Sequence, residues 1–281
     1  MLQAIDIVLF TVGSLGAIAC VAVLLRSGRW RNPLSGTEIP HTGPSIPLAL
    51  VVLVAFVFVP YLAVRLVFRG ELPEAVTQPG SDAWHWAQIA DAIAKLALSA
   101  LMVGVLVGTR SLPARLRRVG FWRGLGIGGV GVLLLVPVMT VQLQMGQVIW
   151  HWMHPDAPAP THAVLQAFSD NTWGAWGRVQ LLAGAVIIAP LAEELLFRGI
   201  LLQALCRHLR LPWVAIVASG VAFGTLHAQP QDVLPLITMG VLLGCIRLRC
   251  GSLWPCVALH VLFNARTMAF ALLTPELLEA S

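Results

Sequence analysis

The sequence predicts an all-α, polytopic membrane protein with about eight transmembrane helices and a catalytic core in the last four. Three observations carry this expectation. Of 281 residues, 58% are hydrophobic and 11% are charged, at a mean hydropathy of +0.82, whereas a soluble domain has about 25% charged residues. Eight stretches approach the roughly 20 apolar residues that a helix needs to cross a bilayer. Arginines fall at the ends of these stretches, where the positive-inside rule puts them. The net charge of +5 thus reads as membrane topology, and no nucleic acid is expected as a partner.

The spans run near 4–25, 46–68, 87–109, 124–149, 178–203, 212–229, 233–249 and 253–273. Span 1 follows "MLQAID", which lacks the basic n-region of a cleaved signal peptide, so it reads as an anchor entering from outside. Arg26, Arg29 and Arg31 follow it. Arg110, Arg115, Arg117, Arg118 and Arg123 lie between spans 3 and 4, Arg207 and Arg210 follow span 5, and Arg247 and Arg249 follow span 7. In an eight-span arrangement these loops share the cytoplasmic side. The opposite loops, "GELPEAVTQPGSDAWHW" and "HWMHPDAPAPTHAVLQAFSDNTWGAW", contain no Lys or Arg, and both termini then face outward. The expected organisation is 1–150 as N-terminal spans, 151–177 as an outer loop, 178–273 as the catalytic helical core and 274–281 as a tail. Cys20, Cys206, Cys245, Cys250 and Cys256 form no CxxC pair and read as small apolar packing residues, not a disulfide framework.

Against this background "IIAPLAEELLFRG" (187–199) is anomalous, because an ionisable group near a bilayer centre costs about 2.5–3.5 kcal/mol on insertion scales. Glu194 and Arg198 are four apart, on one helix face in the favourable order. Glu193 is rotated from Glu194 by about 100° and is left without a cation on its own helix. Such a desolvated carboxylate suits general-base work near neutral pH. "FGTLH" places Phe223 and His227 four apart, and "HVLFN" does the same for His260 and Asn264. An imidazole beside an amide makes a two-donor clamp suited to a developing oxyanion. A lone membrane histidine or Glu–Arg pair is often a packing tie, but all of these on three of four consecutive spans argue for chemistry.

Taken in order, EExxxR, FxxxH and HxxxN resemble the CAAX prenyl endopeptidase type II and bacteriocin-processing (CPBP, or ABI) family of intramembrane proteases. The resemblance covers about residues 178–270. It implies that Glu193 activates water with His227, that His260 and Asn264 form an oxyanion hole, and that Glu194, Arg198 and Phe223 orient the site. The implied reaction is hydrolysis of a peptide bond in a small peptide or membrane protein, within the cytoplasmic membrane of a bacterium. No cofactor is expected. Zinc on Glu193, His227 and His260 is the alternative, since two histidines and a carboxylate form one zinc-protease ligand set, but HExxH is absent and ligation would remove the base. The alternative function is a silent membrane scaffold, or a transporter using the polar cluster as an ion site. Transporters usually show paired broken helices in two repeats, and here only one such site is present.

Helix rise places Glu193 and His260 roughly 10 Å inside the cytoplasmic face and His227 nearer the other, so either span 6 starts lower or the helices bend, with Pro190 a candidate kink. Other signals have simpler readings. "GLGIGG" (124–129) lacks a preceding strand, and Gly124 and Gly128 suit close helix packing. His151 and His154, with Asp156 and His162, read as interfacial residues. Asp91 and Lys95 read as a structural pair, and Arg266 either snorkels or lines the site.

Overall fold

Every described element of the chain is helical, and no strand occurs among the described residues. The computed structural model describes residues 2–26, 34, 37, 42–78, 81–109, 111, 119–156, 175–227 and 230–273. Arg29, Arg31, Arg110, Arg115, Arg117 and Arg118 of the expected cytoplasmic loops, His162 with most of the expected outer loop, and the 274–281 tail lie outside these residues.

Helices α1 (Leu2–Arg26), α2 (Ile46–Val67), α3 (Asp82–Gly108) and α4 (Phe121–Met153) fall on the first four apolar stretches. The fifth is one helical run with two π-helical interruptions. It comprises α5 (Ala175–Leu182), a first π stretch (Ala183–Ile188), α6 (Ala189–Glu194), a second π stretch (Leu195–Leu201) and α7 (Leu202–Leu209). Helices α8 (Pro212–Thr225), α9 (Val233–Cys250) and α10 (Trp254–Leu273) complete the order. Four segments are long and apolar enough to cross a membrane: Ile46–Val67, Asp82–Gly108, Phe121–Met153 and Pro230–Cys250. Only 17% of the α2 window is buried, while Val51, Phe58 and Leu62 are exposed. A continuous apolar surface of this kind belongs in lipid. The protein is a helical membrane protein.

Local chemistry sets the helix ends. The Ser45 hydroxyl accepts from Leu48 N–H at 3.4 Å and the Ser81 hydroxyl from Trp84 N–H at 3.0 Å, each satisfying a donor that the first turn leaves open. Pro47 and Pro212 occupy first-turn positions, where the missing N–H costs nothing. Helix α9 ends at Gly251, in the left-handed region at φ 63, whose N–H returns to Arg247 O; a side chain there would be strained. Helix α8 stops at Thr225, short of the expected 229, and Pro230 opens a 3-10 turn (Pro230–Asp232).

The chain divides into two units. The first contains Met1–His41, Pro113–Ala159 and Leu205–Leu259, hence α1, α4, α8, α9 and the start of α10. It is packed through glycines. A Cβ on Gly124 would lie 2.9 Å from Trp254 Cβ, and one on Gly128 would lie 2.7 Å from Leu259 N, so α10 rides on the glycine face of α4 as the GLGIGG spacing suggests. Gly220 of α8 meets Gly240 and Val241 of α9, and Gly224 meets Ile237, with Cβ clearances of 2.5–2.9 Å to the nearest atoms. Such close backbone approach is how helices gain packing energy where lipid removes the hydrophobic drive. Gln142 Nε2 donates to Thr238 Oγ1 at 2.9 Å, tying α4 to α9.

The second unit contains Thr42–Leu112, Pro160–Ala204 and His260–Ser281. Helices α2 and α3 pack on the π-interrupted run. Trp84, Leu181 and Met268 form a buried cluster with Leu182, Ala185 and Val186. Gly199 lets Leu106 approach, since a Cβ at that position would lie 3.0 Å from Leu106 Cδ1. Asp91 and Lys95 pair within α3 at 2.7 Å.

Candidate active site

Both carboxylates of the EExxxR motif sit on α6, a six-residue α-helical piece held between the two π stretches. A π turn widens the helix locally and re-aims the side chains that follow, and such turns recur at functional sites. Glu194 and Arg198 are both fully buried, and Arg198 Nη1 lies 2.9 Å from Glu194 Oε1. The i,i+4 spacing specifies this contact. Two opposite charges in a low-dielectric interior are tolerated because each neutralises the other, and removal of either leaves an uncompensated buried charge.

Glu194 Oε1 also faces His260 Nδ1 at 2.9 Å. An ionised carboxylate only accepts, so the proton is on Nδ1 and the imidazole donates to Glu194. This fixes the ring and turns Nε2 toward Glu193, whose Oε2 lies 3.7 Å away. The separation exceeds hydrogen-bond length, but it is within ion-pair range. Glu193 is therefore not the isolated carboxylate expected from its own helix. Its partner, His260, comes from α10, which intrahelical spacing does not reveal, and Glu193 makes a further interaction as well. One imidazole thus addresses both glutamates.

Asn264, one turn beyond His260, donates from Nδ2 to the backbone carbonyl of Ala185 at 2.9 Å. Glu193, Glu194, Arg198, His260 and Asn264 all belong to the second unit. Phe223 and His227 belong to the first and are engaged with one another. His227 Nδ1 lies 2.8 Å from Phe223 O, and the ring centroids are 4.8 Å apart. A carbonyl only accepts, so Nδ1–H donates to it. Phe223 is fully buried. The FxxxH spacing therefore orients a half-buried histidine with one residue, through its carbonyl and its ring together.

Glu194 Oε1 already receives a guanidinium and an imidazole, which suits it to orient His260 and opposes a divalent cation on the same oxygen. Among the described residues no three His, Cys, Asp or Glu side chains form a metal-ligand group. Sequence reasoning missed the Ala185 carbonyl and the paired glycines of α8 and α9. The GxxxG spacing of Gly220 and Gly224 is the signal that finds the latter.

Fold and site together define a helical membrane protein with a Glu–Glu–His cluster, in which Glu194 and His260 are buried and Glu193 is partly buried. Residues 175–266 match the model of the Rce1-like family, described as type II CAAX prenyl endopeptidase Rce1-like. All three motifs fall inside the matched stretch. The chain is also similar to the uncharacterized protein YyaK of Bacillus subtilis (strain 168), at 35% identity over 114 residues, covering 39% of this chain and 32% of that protein. An uncharacterized 24.3 kDa protein of Escherichia coli is 35% identical over 79 residues, covering 27% of this chain and 36% of that protein. The chain thus spans about a third of the length of these curated relatives. No solved structure matches it.

Proposed function

We propose that the protein is an intramembrane endopeptidase that hydrolyses a peptide bond in a small peptide or membrane-protein substrate. The carrying observation is the pair of the buried Glu194 and the partly buried Glu193, with Glu194 neutralised by Arg198 and both addressed by His260, inside the stretch that matches a protease family. Glu193 takes a proton from water, assisted by Nε2 of His227, and the resulting hydroxide adds to the scissile carbonyl carbon. Doubly protonated His260 donates through Nδ1 to Glu194 and through Nε2 to the oxyanion. Asn264 supplies the N–H that it does not give to Ala185. Collapse of the tetrahedral species breaks the C–N bond, and the proton held by Glu193 passes to the leaving amine. Glu194, Arg198 and Phe223 orient these groups.

The same reading has all eight apolar segments crossing the cytoplasmic membrane of a bacterium, with both termini outward. Maturation or degradation of a small peptide is the favoured role. The purified protein in detergent, offered a quenched fluorescent peptide library, is expected to cleave a subset of peptides with unchanged rate in 1,10-phenanthroline. Loss of cleavage in the chelator would establish a metal. Absence of any cleavage, together with a cellular phenotype that still needs Glu193, would favour the scaffold or ion-site reading.

A further inference from the structure

Asn264 has a partner whose need is written into the chain five residues further on. In the first π stretch the N–H of Ala189 bonds to Gly184 O, five residues back. The next donor in that register is residue 190, which is proline and has no N–H. The carbonyl of Ala185 therefore lacks the donor that a π turn supplies. Ala185 is partly buried and packs against the cluster of Trp84, Leu181 and Met268, and a backbone carbonyl left unmet away from water is costly. Asn264 Nδ2 meets it at 2.9 Å.

We infer that Asn264 is a positioning residue: its amide replaces the N–H that Pro190 lacks, and so locks the π turn that aims Glu193 toward His260. The chemistry of the bond supports this. A carbonyl oxygen accepts only, so the amide nitrogen must face it, and aspartate in place of Asn264 would set two acceptors against each other. The geometry supports it too. His260 and Asn264 are one turn apart on α10, and they hold the run at two points, the carboxylates of α6 and the carbonyl before Pro190. Rotation or slippage of α6 against α10 breaks both contacts at once. Asn264 thereby sets where Glu193 stands, whatever its second N–H does for an oxyanion. The catalytic consequence rests on the peptidase reading above, but the structural bond does not.

A double-mutant cycle separates the two. Asn264→Ala is expected to lower the melting temperature of the purified, detergent-solubilised protein by about 3–10 °C, the effect of leaving one partly buried polar group unmet. In the Pro190→Ala background, where residue 190 can donate to Ala185 O, the same change is expected to cost less than half as much. Peptidase activity lost in Asn264→Ala should return at least tenfold in the double variant, which a general loss of packing would not produce. Equal melting losses in both backgrounds overturn the bond's assignment. Coupled melting without return of activity overturns the positioning role and leaves Asn264 as an oxyanion donor. If Asn264→Ala does not fold alone, folding of the double variant supports the inference, and failure of both contradicts it. A wild-type protein that cleaves no peptide sinks the peptidase reading while the melting cycle still decides the bond.

Discussion

The α6 region and the α8–α9 pair place polar groups in an apolar interior by opposite means. In α8–α9 the backbones come close through Gly220, Gly224 and Gly240, and His227, two residues past the end of α8, is engaged by Phe223 of that helix. Around α6 the helix itself is irregular, and its polar side chains are met from elsewhere: Glu193 and Glu194 by His260, and Ala185 O by Asn264. The first arrangement is tolerant of chemistry and intolerant of volume. The second depends on polar partners supplied from α10. The expected effects of substitution follow from that contrast.

Arg198 is predicted to give the largest loss. Arg198→Met removes the cation from a fully buried Glu194, an uncompensated charge worth about 3–5 kcal/mol, and the protein should fail to fold or melt far earlier. Pairing it with Glu194→Gln, which removes the orphaned charge, should restore most of the folded yield measured by size-exclusion chromatography. Recovery absent in the pair would mean that Arg198 contributes by some contact other than neutralising Glu194.

Smaller losses are expected where volume alone is changed. Gly224→Ala puts a Cβ 2.5 Å from Ile237 Cγ1 and 2.8 Å from Ile237 N, so α8 and α9 must part, at about 1–3 kcal/mol for overpacking. Gly184→Ala, in the π stretch, meets nothing within 4 Å and should leave the melting temperature near the wild-type value. Equal melting of the two variants would remove the distinction between a volume-limited and a chemistry-limited region.

Much of this was legible in the sequence because it is local. The eight apolar stretches coincide with helical segments, the i,i+4 spacing of Glu194 and Arg198 specifies their contact, and Gly124 and Gly128 of GLGIGG do sit against α10. What sequence spacing hid is tertiary. Glu193 looked isolated because an intrahelical count sees only its own helix, while His260 arrives from 67 residues away. The two π stretches escaped notice because hydrophobic periodicity barely distinguishes them from α-helix. Pro190 was visible as a candidate kink, but the carbonyl it strands needs a partner that only packing supplies.

The central claim is that Glu193 and His227 act on one water, although the two residues lie in different units of the chain. A double-mutant cycle in kcat/KM, with Glu193→Gln, His227→Ala and the pair, tests it most directly on any cleaved peptide. Each single change should cost about 10²–10⁴-fold, with melting temperature unchanged, and the pair should be scarcely worse than Glu193→Gln alone, because groups serving one step are strongly non-additive. Cleavage that survives Glu193→Gln, or losses that multiply in the pair, would contradict it.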